Sequence, residues 1–202
     1  GGKMASRIAV DTFLAELEKV LTKGMTPQQL REASSYAVSL ANKAIREAAK
    51  DTEEYANMGT TLVSAVTYPD GVAVINVGDS GAYHISQAGI TRITKDHSLV
   101  ESMVERGDIT AEEARRHPNR NLITRALGPD ALVECDGYLC ELHVGEYLLL
   151  CTDGLIDTVT DQEMLFEVLH GDSPDTCLDR LLAISKSRGA PDNVTAVLMK
   201  NA

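Results

Sequence analysis

The first fifty residues carry apolar side chains at helical spacing. They recur every three or four positions through residues 5–22 and again through residues 27–50. This spacing predicts two amphipathic helices. Gly24 provides a stop for the first helix, and Thr26 with Pro27 provides a start for the second. We therefore predict a pair of antiparallel helices at the start of the chain.

After Gly59 the pattern changes to short apolar runs separated by turn residues. Such runs predict β-strands. They occupy residues 60–68, 72–78, 82–86, 147–151 and 193–199. The runs at 72–78 and 147–151 are apolar almost throughout, which is typical of strands covered on both faces. Because tight turns join neighbouring runs, we expect antiparallel pairing.

Two further helical patterns, at residues 161–170 and 174–188, complete the layout. The simplest arrangement is an α+β fold in which two packed antiparallel β-sheets are sandwiched between helix pairs, an αββα sandwich. Residues 97–128 are polar with a helical texture, so we expect them to leave the sheets as an excursion. The length of the chain fits a single domain spanning residues 1–202.

The charge balance narrows the function classes. The 202 residues include 19 Lys and Arg against 30 Asp and Glu, a formal net charge of −11. Nucleic acid and anionic membrane surfaces are bound through basic surface, so we expect neither as a partner. No apolar run approaches the roughly 20 residues that cross a bilayer. An acidic chain suits solubility, and it also suits a site that collects divalent cations.

The cysteines predict no disulfide or zinc site. Cys135, Cys140, Cys151 and Cys177 match no paired-cysteine motif, and no histidine lies at zinc-finger spacing. Cys151 lies inside an apolar strand, which is typical of a small core residue. We expect four reduced thiols and a cytoplasmic protein.

Aspartates stand next to the ends of three predicted strands. Asp153 follows the run at 147–151, Asp192 precedes the run at 193–199, and Asp79 interrupts an apolar hairpin. If these strands are neighbours, three carboxylates meet at one end of a sheet and repel one another unless a cation lies among them. Carboxylate ligands favour Mg²⁺ or Mn²⁺ over zinc. Each aspartate is equally explained as a turn residue, so both interpretations stay open.

Five segments carry a resemblance to a known family. They are GTTLVSAV at 59–66, VGDSGAY at 77–83, TKDHSLVESMVERGDITAEEARRHPNRNLITRALG at 94–128, CTDGLID at 151–157 and DNVTAVLM at 192–199. Taken in order, they are similar to the metal-dependent protein phosphatases, the type-2C serine/threonine phosphatase family in its compact bacterial form. The segment at 94–128 is the most specific, since it resembles the flap beside the family's active site. We call it the flap segment.

The resemblance implies both an activity and a metal site. The activity is hydrolysis of phosphoserine and phosphothreonine on proteins, the substrates of serine/threonine kinases. Two Mn²⁺ or Mg²⁺ ions would share a bridging water and activate it for attack on phosphorus, and a third ion would bind beside them. By motif, Asp153 and Asp192 are ligands of the core metal pair, and Asp79 joins Asp153 at the third ion. We expect the enzyme to act as a monomer in signalling.

Three residues of the flap segment are candidates for the substrate side of the site. They are His97, His117 and Arg120. The sequence spacing assigns no carboxylate partner to either histidine, so a structural role competes with substrate contact for both. Exposed arginines on a polar segment are often solvated without a specific role.

The chain departs from the family at its start and at Gly81. The family's first strands, a phosphate-binding arginine and a DGMGG motif that supplies the bridging aspartate have no counterpart here. We therefore expect a domain that is N-terminally truncated relative to the family. Gly81 stands where the family commonly has arginine.

Four explanations of the short start stay open. We favour a piece of an active phosphatase. The alternatives are a catalytically weak or inactive module that binds phosphoproteins or a regulator, a fold completed by another chain, and an unrelated acidic α/β binding protein.

Overall fold

The first layer of the fold is a helical hairpin. The structure, a computed structural model, describes residues 1–50 and 55–202. Helix α1 (Gly2–Val20) packs along α2 (Pro27–Lys50), and alanines at the contact let the helices approach closely. Thr26 and Gln29 form the expected capping box, since each side chain bonds the other residue's backbone N–H. The predicted helix pair is confirmed, with α1 beginning three residues earlier and ending two residues earlier than expected.

The strands form two antiparallel sheets. The first sheet has the order β1-β2-β5 and the second has the order β4-β3-β6-β7. Both sheets pair antiparallel throughout. The strands are β1 (Leu62–Tyr68), β2 (Gly71–Val77), β3 (Gly81–Ser86), β4 (Gly89–Arg92), β5 (Asp136–Glu141), β6 (Tyr147–Cys151) and β7 (Ala196–Lys200).

Helices cover the outer face of each sheet. Helix α2 packs on β2 and β5, whereas α6 (Asp161–His170) and α7 (Pro174–Ser187) pack on the second sheet. Between the sheets lies an apolar layer that includes Val72, Val74 and Leu148. Strand β2 is buried at every residue, as its apolar run predicted. The αββα sandwich is confirmed.

The flap segment leaves the sheets and returns. It contains α3 (Leu99–Glu105) and α4 (Ala111–Arg116), whose N-caps Ser98 and Thr110 accept hydrogen bonds from backbone N–H groups. An isolated bridge between Ser98 and Ile123 closes the excursion. The expected departure of residues 97–128 from the sheets is therefore confirmed.

Two of the differences from the predicted elements lie near the aspartates. Strand β7 begins at Ala196 rather than 193, because Thr195 uses its backbone groups to bond Thr152 outside the regular ladder. The second difference lies after β6, where no helix was predicted. A short helix, α5 (Asp153–Ile156), begins two residues after the strand ends. Both differences fall at the end of the second sheet where the aspartates lie.

Candidate metal centre

The register of the second sheet brings the three predicted aspartates to one end. Gly81 of β3 pairs with Cys151 of β6, which in turn pairs with Ala196 of β7. Asp79 lies just before the first of these positions, Asp153 just after the second and Asp192 shortly before the third. Because these three strands are neighbours and antiparallel, all three aspartates extend past the same end of the sheet. The structure thus places all three at the same end of the second sheet, as expected, and a shared metal site there stays a prediction.

Backbone contacts fix the loops that carry Asp153 and Asp192. The Thr152 N–H donates to the Thr195 carbonyl at 3.0 Å, and the Thr195 N–H donates to the Thr152 hydroxyl at 3.1 Å. Gly154 packs directly on the Asn193 carbonyl, which lies where a side chain at position 154 would begin. The sequence TDG after β6 thus allows the two loops to touch, and a larger residue after Asp153 would separate them.

The carboxylates repel one another. Burial, followed by the neighbouring charge of Asp192, raises the pKa of Asp153. Burial, followed by the charge of Asp153, raises the pKa of Asp79 to about 6. Hydrogen bonds from backbone N–H groups oppose these shifts, and one of them joins Gly154 N to Asp153 Oδ1 at 2.8 Å. The neighbouring carboxyl groups thus concentrate negative charge at this sheet end when they are ionised.

This charge is not neutralised by a side-chain ion pair. Among residues 1–50 and 55–202, none of the three aspartates takes part in a salt bridge. Asp192 Oδ1 accepts a hydrogen bond from Asn193 N at 2.6 Å. Mutually repelling carboxylates that form no salt bridge among the described residues would suit a hard divalent cation such as Mg²⁺ or Mn²⁺.

The aspartates interact electrostatically as two pairs and do not surround a single point. Asp153 raises the pKa of Asp79, and Asp192 raises the pKa of Asp153. In the described part of the chain, no three His, Cys, Asp or Glu side chains gather closely enough to enclose an ion by themselves. Magnesium in particular usually keeps several water ligands and uses one or two carboxylates, so the pairs suit such an ion.

Comparison with known proteins identifies the family. A family model for protein phosphatase 2C matches residues 1–181. The chain belongs to the protein phosphatase 2C family. The serine/threonine phosphatase stp of Listeria welshimeri is 33% identical over 199 residues, which are 98% of this chain and 79% of that protein.

Two solved phosphatase structures show the same fold. Serine/threonine phosphatase Stp1 from Staphylococcus aureus has a TM-score of 0.93 at 34% identity, and the match covers 99% of this chain and 78% of that one. The catalytic domain of serine/threonine protein phosphatase PstP, solved in complex with 2 manganese ions, has a TM-score of 0.83 at 32% identity. That match covers 98% of this chain and 80% of the PstP domain.

His97 is a structural residue of this phosphatase 2C chain. It is 6% exposed. Its Nδ1 accepts a hydrogen bond from Gly78 N at 3.0 Å, and its Nε2 lies 3.2 Å from Asp136 Oδ2. The hypothesis that His97 faces substrate is therefore wrong, because both ring nitrogens are engaged inside the protein. The residue instead holds the glycine that precedes Asp79.

The other two flap candidates are not joined to the aspartates by any described hydrogen bond or ion pair. His117 is partly buried at the end of α4, where its Nδ1 accepts a hydrogen bond from Asn119 N at 3.1 Å. Arg120 is exposed. The structure leaves both on the flap segment, where a substrate role stays a prediction.

The sequence patterns did not predict the residues that hold the Asp79 loop in place. Arg92 donates to the Asp79 carbonyl oxygen at 3.1 Å and to both carboxylate oxygens of Asp96. On the other side, Asp136 receives hydrogen bonds from both His97 and Arg125. These hydrogen bonds hold the pKa of Asp136 below its usual range, although partial burial acts to raise it. Arg92 and Asp96 lie four residues apart, a spacing that predicts an ion pair only on a helix. The sequence therefore gave only a weak indication that these two residues pair.

Proposed function

We propose that the chain hydrolyses phosphoserine and phosphothreonine on proteins, using divalent metal ions held by Asp79, Asp153 and Asp192. The observation that carries this proposal is the set of repelling carboxylates at one end of the second sheet, without a salt-bridge partner among the described residues. Family membership supports the reaction class, and the names of the relatives favour an enzyme over a phosphoprotein-binding module.

The chain's own residues prepare the site for this chemistry. Divalent ions bound by carboxylates supply an acidified water for attack and neutralise charge on the phosphoryl oxygens. The Thr152–Thr195 hydrogen bonds set the spacing of Asp153 and Asp192, and the Gly78 turn sets Asp79. These three aspartates hold the negative charge that attracts the ions.

A cysteine nucleophile does not fit this site. Cys151, the cysteine nearest in sequence to Asp153, is 3% exposed. Burial raises its pKa to about 12, so it stays a neutral thiol at physiological pH. Water attack assisted by metal ions is therefore the mechanism that we propose.

The finer assignments are also proposals. The PstP domain in complex with 2 manganese ions supports Mn²⁺ as the ion and two ions at the core. A third ion at Asp79 and Asp153 is a proposal from the family resemblance alone. The four free cysteines support a cytoplasmic location. The net charge of −11 argues against nucleic acid and membrane surfaces as partners. No helix in the described residues is apolar over a length that would cross a bilayer.

We further propose a monomer that acts on phosphorylated proteins, with His117 and Arg120 on the substrate side. That residues 1–202 form one domain stays a prediction.

A peptide dephosphorylation assay tests the function. With millimolar Mn²⁺ and a phosphothreonine peptide, we expect phosphate release that a chelator abolishes. Asp153→Asn keeps the shape and removes the charge, so turnover should fall by about a hundredfold or more. Asp11→Asn, exposed on α1, is the matched control and should keep full turnover. Wild-type chain that binds Mn²⁺ without turnover, or an Asp153→Asn variant as active as the control, would overturn the proposal.

A further inference from the structure

Arg92 crosses one face of the second sheet and reaches the Asp79 loop. In the β3–β4 register Arg92 lies opposite Tyr83, and its guanidinium carbon is 5.5 Å from the centre of the Tyr83 ring. Nη1 donates to Asp96 Oδ2 at 3.0 Å, and Nη2 donates to the other carboxylate oxygen of Asp96. Nη2 also donates to the Asp79 carbonyl oxygen at 3.1 Å. One side chain thus joins β4 to the loop that carries Asp79.

Gly81 provides the space for this path. Residues 81 and 83 lie two apart on β3, so they share one face of the strand. A Cβ at position 81 would lie 2.9 Å from the Tyr83 ring and 3.1 Å from Arg92 Nη2. Any side chain at position 81 would therefore compete with the guanidinium for this space. Because Gly81 has no side chain, the Arg92 guanidinium can occupy this space.

The arrangement has a cost in stability. The Arg92 and Asp96 side chains are 25% and 26% exposed, so both charges are largely removed from water. Arg92 Nε is buried without a hydrogen-bond partner among the described residues. Burying an N–H group without an acceptor is unfavourable. The fork geometry at Asp96 and Asp79 must offset that loss, and lysine cannot reproduce it.

We infer that Arg92 is a positioning residue, which fixes the main chain of Asp79 and places a positive charge beside the metal-binding carboxylates. Its charge opposes the repulsion that Asp153 and Asp96 exert on Asp79. The consequence for metal binding rests on the proposed function, whereas the consequence for the order of the Asp79 loop does not.

Hydrogen–deuterium exchange of the metal-free chain and calorimetric titration with Mn²⁺ test this role. In Arg92→Met we expect exchange in the peptide containing residues 78–82 to rise about tenfold, because the loop loses its anchor. Mn²⁺ affinity should fall about 10–100-fold, the usual effect of removing a residue that orients metal ligands. Arg92→Lys keeps the charge and loses the fork, so exchange should rise as in the Met variant, with a smaller loss of affinity.

Gly81→Ala tests the same role without altering Arg92 itself. It should raise exchange over residues 78–82, and in combination with Arg92→Met it should add little, because both changes remove one contact. Arg188→Met is the matched control, since Arg188 forms a similar two-pronged pair with Glu163 in the helical layer. It should leave both readouts at wild-type values.

The outcomes separate this inference from the proposed function. Wild-type exchange over residues 78–82 in Arg92→Lys and Gly81→Ala would overturn the positioning role, even if Arg92→Met fails to fold. An Arg92→Lys variant that matches the wild type in both readouts would show that charge alone matters. If the variants loosen the loop while the wild-type chain shows no phosphatase activity, the positioning role stands and the proposed function fails.

Discussion

At the scale of single residues, His97 links a distant carboxylate to the turn before Asp79. Its Nδ1 faces the Gly78 N–H, so we assign the ring proton to Nε2, which then donates to Asp136. The His97 backbone N–H also donates to the Gly78 carbonyl at 3.0 Å. Gly78 has a φ of +109°, a conformation that favours glycine. His97 therefore binds both backbone groups of Gly78, one through its ring and the other through its own N–H.

This geometry predicts different outcomes for two substitutions. His97→Leu leaves the buried Gly78 N–H without its acceptor, which costs about 1–3 kcal/mol. It also removes one hydrogen bond to Asp136, which keeps the one from Arg125. His97→Gln retains an acceptor and a donor, so it should recover a substantial part of that loss. Urea unfolding of both variants measures the difference. Equal free energies of unfolding for Leu and Gln would show that the ring packs there without holding the turn.

Residue patterns predict which aspartates meet but not what supports them. Asp153 and Asp192 could be placed because each adjoins an apolar strand, and strand ends are visible as breaks in the pattern. His97, Asp136 and Arg92 could not be placed. They act through contacts between segments far apart in sequence, and neither periodicity nor turn chemistry encodes such contacts.

At the scale of elements, α6 begins with a capping box that also binds the end of α7. The Thr160 hydroxyl accepts from Glu163 N at 3.4 Å, and the Glu163 carboxylate accepts from Thr160 N at 2.9 Å. Arg188 then donates to Glu163 Oε2 at 2.8 Å. The helical pattern predicted α6 from residue 161, but the sequence did not indicate that its cap would join the two helices of the outer layer.

This junction predicts an acid-dependent loss of stability. Hydrogen bonds from Arg188, followed by those from Thr160, hold the pKa of Glu163 at about 2, below its ordinary value of 4.5. Because the folded-state pKa is depressed, its contribution is present above pH 4.5 and is lost as the pH falls toward 2. Glu163→Gln should therefore melt below the wild type at pH 7, and the difference should vanish near pH 2.

Thermal melts across that pH range check the expectation. Glu18→Gln, exposed on α1, is the control and should stay close to the wild type throughout. A difference between Glu163→Gln and the wild type that is constant with pH would contradict the assignment. It would indicate lost packing rather than lost charge.

At the scale of the whole molecule, the four layers of the sandwich follow from the way in which each segment buries its apolar surface. The continuous apolar run of β2 required cover on both faces, and the amphipathic helices supplied the outer cover. The same logic predicted the second sheet with α6 and α7. Short α5 could not be predicted, since four residues give no helical period. Its Gly154 packs on the Asn193 carbonyl, a contact that the local sequence does not reveal.

The sandwich also prevents the aspartates at the end of the second sheet from moving apart. The loops of Asp79 and Asp153 are anchored by the ends of paired strands, so repulsion between their carboxylates is stored in the metal-free fold. At pH 7 Asp79 is largely ionised, since its pKa is about 6. Removing one charge should relieve this repulsion, whereas a bound cation should be attracted by the same negative charges and stabilise the fold.

Asp79→Asn should therefore change the melting temperature in opposite directions without and with Mn²⁺. In chelator at pH 7 the variant should melt about 2–4 °C above the wild type, the shift expected for roughly 1 kcal/mol in a chain of this size. In millimolar Mn²⁺ the wild type should gain more from binding and melt above the variant. Scanning calorimetry under both conditions measures the crossover, with Asp11→Asn as a control that should follow the wild type. If Asp79→Asn melts below the wild type by the same amount in both conditions, Asp79 stabilises the turn as a hydrogen-bonding residue and is not a metal ligand.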